Sequence, residues 1–394
     1  MKKFLIVFLF LITASFSFAD SEEIDLYNYL YQGALTHEEQ LSLLQTMAES
    51  KLTGAGDFYS RALHRLVIEY PNVSGATARE VADEQAIVLA NLLGQEKYAA
   101  AGPDLWRAVD VFSNPLVKAE VLMALGKIQA RAFLPQVIQV LQALNGSPAP
   151  DRLNGERVAF GAIVALEKYQ DISGYLPVYF ASTGWYSDRI KNQALNSLAV
   201  ISSDPTQPML EIINGSGYNY AVKLEALQSM EASGASNDSK SSVAAAALSE
   251  GWRASTTDAR LRGQLNSMRK FAMRMIRSYG ASGDSIYPLL ERSYKQFADR
   301  NDGDRDEALD ALNTLRTLAS DESARRLSAF LMTINQKLQS GTLTRKDEDL
   351  VRAIIPALGA AGRPIGRPAL NSVVALNWTA AVKALAQEAL RDLQ

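Results

Sequence analysis

A twelve-residue pattern recurs eight times between Val117 and Leu393, and no other feature constrains the fold of this chain as tightly. The copies read VKAEVLMALGKI from Val117, VAFGAIVALEKY from Val158, IKNQALNSLAVI from Ile190 and VKLEALQSMEAS from Val222. MRKFAMRMIRSY from Met268, DRDEALDALNTL from Asp304, LVRAIIPALGAA from Leu350 and VKALAQEALRDL from Val382 complete the series. Positions 1, 5, 8, 9 and 12 follow the 3.6-residue turn of an α-helix and share one face. That face is apolar in every copy except at Ser197, Ser229, Ser233 and Asp304, whereas 47% of the whole chain is hydrophobic. Successive copies start between 32 residues apart (158 to 190) and 46 apart (222 to 268). Such a period belongs to stacked supersecondary units, each needing a neighbour to bury its apolar face.

A second helical signal follows the first in each unit. Pro135, Pro177, Pro208, Pro288 and Pro368 each open an apolar run, as in LPQVIQVL and YPLLERSY. Proline suits the first turn of a helix, where its missing N–H is not needed. Units four and six lack the proline but carry VAAAAL and SARRLSAFL at the same place. Turn formers such as SSDP before Thr206 separate the two helices. Positions 5 and 8 are mostly alanine, which lets the paired helices approach closely.

These residues resemble the HEAT-like repeat of the phycobilisome-lyase type, whose pattern is V-R-x-x-A-x-x-A-L-G-x-I with a proline opening the second helix. Gly126 and Gly359 occupy the glycine position, and the other copies depart from it. The resemblance covers about Leu105 to Leu393 and implies an all-α fold, a right-handed α-solenoid of about seven full units plus a terminal half unit. It implies little about activity, since such solenoids serve many tasks, and nothing in the chain marks the lyase activity of the namesake members. Six copies carry a base at position 2: Lys118, Lys191, Lys223, Arg269, Arg305 and Lys383. The resemblance implies a ladder between these bases and acidic or amide residues of adjoining turns, with Asn114, Asp188, Asn219 and Asp302 as candidates. A row of free bases binding an anion is the other reading.

The N-terminus has the pattern of a secretory signal peptide. Lys2 and Lys3 precede the apolar run Phe4 to Ile12, and Ser17-Phe18-Ala19 places small residues for cleavage before Asp20. The run is too short for a permanent membrane span. The chain has no cysteine, so disulfides, thiolate chemistry and a lipid-anchoring lipobox are all excluded. The product is expected in the periplasm or outside the cell, without a transmembrane anchor. Removing residues 1–19 takes away two bases and no acids, moving the net charge from −3 to −5 (−3 − 2) and disfavouring nucleic acid as a partner. The expected organisation is therefore a signal peptide over 1–19, a helical region over 20–104 that caps the solenoid, and repeats over 105–394. In the capping region, Thr36-His37-Glu38-Glu39 forms a capping box, and helices are expected over Phe58 to Glu69 and about Ala76 to Leu93. A separate small helical domain is the alternative for this region.

No catalytic, cofactor or metal constellation stands out. His37 and His64 have no partner at ligand spacing, and no G-x-S-x-G, P-loop or dinucleotide glycine pattern occurs. The run DRNDGDRDE, Asp299 to Glu307, fails the calcium-loop spacing and reads as an acidic helix start. The uneven repeat spacing instead locates three insertions, over Asn145–Arg157, Ser249–Ser267 and Gln339–Asp349, and insertions in repeat proteins often serve binding.

Three features point to a binding surface. Arg253, Arg260, Arg262, Arg269, Lys270, Arg274 and Arg277 form the densest basic stretch, suited to an acidic partner. Tyr169, Tyr175, Tyr179, Phe180, Trp185, Tyr186, Tyr218 and Tyr220 concentrate aromatics, with Trp185 and Tyr186 in a turn. Gln136, Gln139 and Gln142, with Tyr179, Arg292 and Arg325, lie on second helices, which line the inner curve of such solenoids. The expectation is a non-catalytic exported scaffold whose partner-binding residues are Tyr179, Trp185, Tyr186, Tyr218, Arg260, Arg262, Arg269, Arg274, Gln136 and Gln139. Its partner is a protein, or failing that an envelope polymer such as a glycan. The rival reading is an enzyme or enzyme accessory with an unrecognised site.

Overall fold

A computed structural model describes residues 21–393 apart from 51, 149, 301 and 302. The expected signal peptide and its cleavage site lie outside the described residues, as does Asp302. All regular structure among the described residues is helical, and no helix is long and apolar enough to cross a membrane. The chain divides into two compact units, meeting in sequence at Ser203 and Asp204.

The first unit opens with α1 (21–33), α2 (His37–Ser50), α3 (Gly56–Glu69), α4 (Ala76–Glu96) and α5 (Gly102–Val111). The expected capping box starts α2. The Glu39 N–H donates to Thr36 Oγ1 at 3.2 Å, and the Thr36 N–H donates to Glu39 Oε2 at 3.3 Å. Helix α4 runs past Gly94 and stops at Lys97, which adopts the left-handed conformation. Three repeat copies follow on α6 (Pro115–Lys127), α8 (Arg152–Tyr169) and α10 (Asp188–Ile201). The second helices α7 (Leu134–Gly146) and α9 (Tyr175–Thr183) carry Pro135 and Pro177 in their first turns. Contacts run from neighbour to neighbour: α4 packs on α6, α6 on α8 and α8 on α10.

The α6–α8 contact is the closest of these, and two glycines make it so. A β-carbon on Gly126 would sit 2.6 Å from the Cα of Ala165. One on Gly161 would sit 2.5 Å from the Ala119 carbonyl oxygen. Backbone meets backbone in both places, so no side chain can swing aside to make room.

The second unit holds the other five copies, on α12 (Tyr220–Ala232), α14 (Ala259–Tyr279), α16 (Arg305–Leu318), α18 (Arg345–Ala361) and α20 (Ala380–Asp392). Interleaved with them are α11 (Thr206–Asn214), α13 (Asn237–Gly251), α15 (Ile286–Ala298), α17 (Asp321–Gln339) and α19 (Arg367–Ala375). The first helices α12, α14, α16, α18 and α20 contact one another in sequence order, as do the second helices α11, α13, α15, α17 and α19. Position 9 is buried in seven copies, at Leu125, Leu166, Leu198, Met230, Ile276, Leu312 and Leu358. Leu390 in the last copy is half-buried.

The insertions take a form that repeat spacing alone does not reveal. Nearly half of their residues extend the N-termini of first helices, and the loops left over are short. Helix α14 begins at Ala259, nine residues before its repeat pattern, and α18 begins at Arg345, five residues before its own. Capping fixes these starts. Asp258 accepts from the Arg260 and Leu261 N–H groups, and Thr344 and Asp347 form a reciprocal capping box.

Candidate functional site

The extended first turns of α14 form one wall of a groove in the second unit, of about 600 Å³. Arg262, Asn266 and Arg269 project from this wall at a spacing of four then three, which places them on one helical face. The opposite wall is α15 and its continuation, where Arg292, Lys295, Gln296 and Asp299 repeat the same geometry. Trp252, Ser255 and Thr256, from the loop before α14, line it further. Arg300, Gly303 and Asp304 line the stretch that leads into α16.

Hydrogen bonds hold these parts in place. The Trp252 indole N–H donates to Ser293 Oγ at 3.1 Å, and the guanidiniums of Arg269 and Arg292 lie 4.0 and 4.5 Å from the centre of its ring. Arg269 is buried. Its Nε and Nη2 donate to the two carboxylate oxygens of Glu307 at 2.7 and 2.8 Å, and its Nη1 donates to the Gly251 carbonyl at 2.7 Å. Gln296 brackets Asp304, donating to its carbonyl and accepting from its N–H, each at 2.9 Å. That bracket requires glycine next door, because a β-carbon on Gly303 would collide with the Gln296 carbonyl. Lys346, from the third insertion, donates to the carbonyls of Phe297 and Arg300 at 2.8 and 2.9 Å and so ties down the end of α15. Two of the three insertions thus help to build this groove.

With Arg269 neutralised by Glu307, four cations face two carboxylates: Arg262, Arg292, Lys295 and Arg300 against Asp299 and Asp304. Lys295 is shared with Glu291 at 2.7 Å, and Asp304 is occupied as the N-cap of α16. Arg262 is exposed and donates to the Thr257 carbonyl at 3.2 Å. Arg292 and Arg300 are also exposed. The lining contains no histidine or cysteine. An arrangement of this kind attracts and orients anions.

The expected partner-binding residues fall into separate groups. Arg262 and Arg269 belong to the groove, although Arg269 is a buried structural ion and not a contact residue. Arg260 is exposed, and Arg274 pairs with Glu231 at 2.7 Å. The aromatic turn must be corrected. Tyr186 is 3% exposed, its hydroxyl donates to Asn145 Oδ1 at 2.9 Å, and burial, with Glu156 nearby, pushes its phenol pKa up. Trp185 is half-buried, stacks on Tyr186 and donates its indole N–H to the Leu144 carbonyl at 2.8 Å. This pair is a bracket fastening the α9–α10 turn to the end of α7. Tyr179 is likewise buried and Tyr218 half-buried, while Gln136 is half-buried and Gln139 exposed.

The expected ladder also changes partners. Asn114 caps α6 and donates to Asp83, and Asn219 caps α12. The buried bases Lys223 and Arg269 pair instead with Glu250 and Glu307. The two histidines make local contacts, His37 with Gln85 at 3.0 Å and His64 with Asp104 at 2.7 Å.

Trp252, Gln296 and Arg300 were not singled out by sequence. The available signal was the i, i+3, i+4, i+7 recurrence of Arg292, Lys295, Gln296 and Asp299, which marks a polar face along this second helix and its continuation. No protein-family model matches this chain, and no curated protein matches it.

Proposed function

We propose that this chain is an exported, non-catalytic binding protein built of right-handed HEAT-like α-solenoid repeats, and that it engages a protein partner through the groove between α14 and α15. The observation that carries this reading is the groove itself. It offers excess positive charge from two facing helices and no paired nucleophile and base. Export rests on the basic, apolar and small-residue succession over residues 2–19. No cofactor, metal or nucleic acid enters this reading.

The test is capture from envelope extract by the immobilised mature protein. The unaltered protein should retain a protein partner that the Arg262→Glu/Arg292→Glu double variant loses. Both residues are exposed, so the variant should keep its helical circular dichroism. Equal capture by the two would reject the groove as the contact surface. Turnover of an envelope component by the purified protein would reject the non-catalytic claim.

A further inference from the structure

We propose that the α14–α15 groove binds an extended acidic peptide segment, with its side-chain carboxylates seated among Arg262, Arg292 and Arg300. This rests on the binding reading above and names its ligand class. The geometry of Arg292 is the first support. Its guanidinium lies over Trp252, and no hydrogen bond is found from its N–H groups to any described residue. A guanidinium held against a ring by cation–π attraction keeps its N–H donors unspent, and these can pair with a carboxylate as a fork. Arg300 stands exposed at the end of the same wall, and Arg262 faces it from α14.

The rest of the lining separates peptides from other polyanions. Asp299 and Asp304 place negative charge among the cations. They would repel a ligand carrying a charge on every unit, such as a nucleic acid, a polyuronate or an anionic lipid surface. A peptide spaces its carboxylates apart and also brings backbone N–H donors, for which exposed Asp299 is an acceptor. Sugars and nucleobases are captured by stacking on open aromatic faces, but the Trp252 ring already has two guanidiniums over it. The groove is also recessed between two helices, which suits a single extended chain better than a planar membrane.

The test is a fluorescence-anisotropy titration of the mature protein with a labelled twelve-residue peptide alternating glutamate and serine. Parallel titrations use the same peptide with glutamine for glutamate, polygalacturonate, and phosphatidylglycerol vesicles. The glutamate peptide should bind, and each of Arg292→Gln and Arg300→Gln should weaken it roughly tenfold or more. Binding should fall between about 0.05 and about 0.5 M salt. Thermal melts establish that each variant is folded. Equal affinity for the glutamine peptide would overturn the proposal, and so would undiminished binding by both variants. Vesicles or polygalacturonate binding in preference to the peptide would overturn it in favour of a lipid or glycan. If no probe binds while extract capture still depends on Arg262 and Arg292, the ligand class is wrong and the binding reading survives. If capture fails as well, both are wrong.

Discussion

Replacing Arg269 by alanine should destabilise the second unit by about 3–5 kcal/mol. Arg269 is 5% exposed and Glu307 is fully buried, so truncation strands a carboxylate in a medium that solvates it poorly. The Gly251 carbonyl loses its partner in the same step. Glu307→Ala should cost a similar amount for the mirror-image reason. The double change Arg269→Met/Glu307→Leu should recover most of the loss, because a buried ion pair is worth little more than apolar groups of like volume. Urea unfolding of the three variants checks this. Single variants within about 1 kcal/mol of the unaltered protein would show that the pair is not buried as described.

Leu358→Ala should cost about 2–5 kcal/mol, in the range for a fully buried leucine whose site cannot collapse. It lies on α18, which packs on both α16 and α20, so a cavity there weakens two inter-repeat contacts at once. Leu125→Ala should behave alike in the first unit. Stability in repeat folds is a sum over neighbours, so amide exchange should accelerate first in the altered helix and those touching it. Uniform acceleration through the whole unit would contradict that local picture.

Sequence made the repeats legible because their signal is local. A stripe such as Val117, Val121, Ala124, Leu125 and Ile128 declares its helix and its buried face within twelve residues, and all five are buried. The Thr36–Glu39 capping box and the prolines of the second helices are equally local. Burial of polar residues was not legible, because it depends on partners a full repeat away. Arg269 meets Glu307 38 positions on, and Trp185 reaches back 41 positions to Leu144. A basic or aromatic cluster reads the same in sequence whether it faces solvent or another helix. The groove was half legible. The 46-residue spacing from Val222 to Met268 marked an insertion, but not that it would lengthen α14 into a wall opposite Arg292.

Hydrogen–deuterium exchange of the protein with and without its captured partner tests the central claim most directly. New protection should appear in the loop 252–258, the first turns of α14 and the segment 289–300, and should be absent around the Trp185–Tyr186 turn. Protection confined to that turn or to the first unit, with the α14–α15 groove unchanged, would contradict the account.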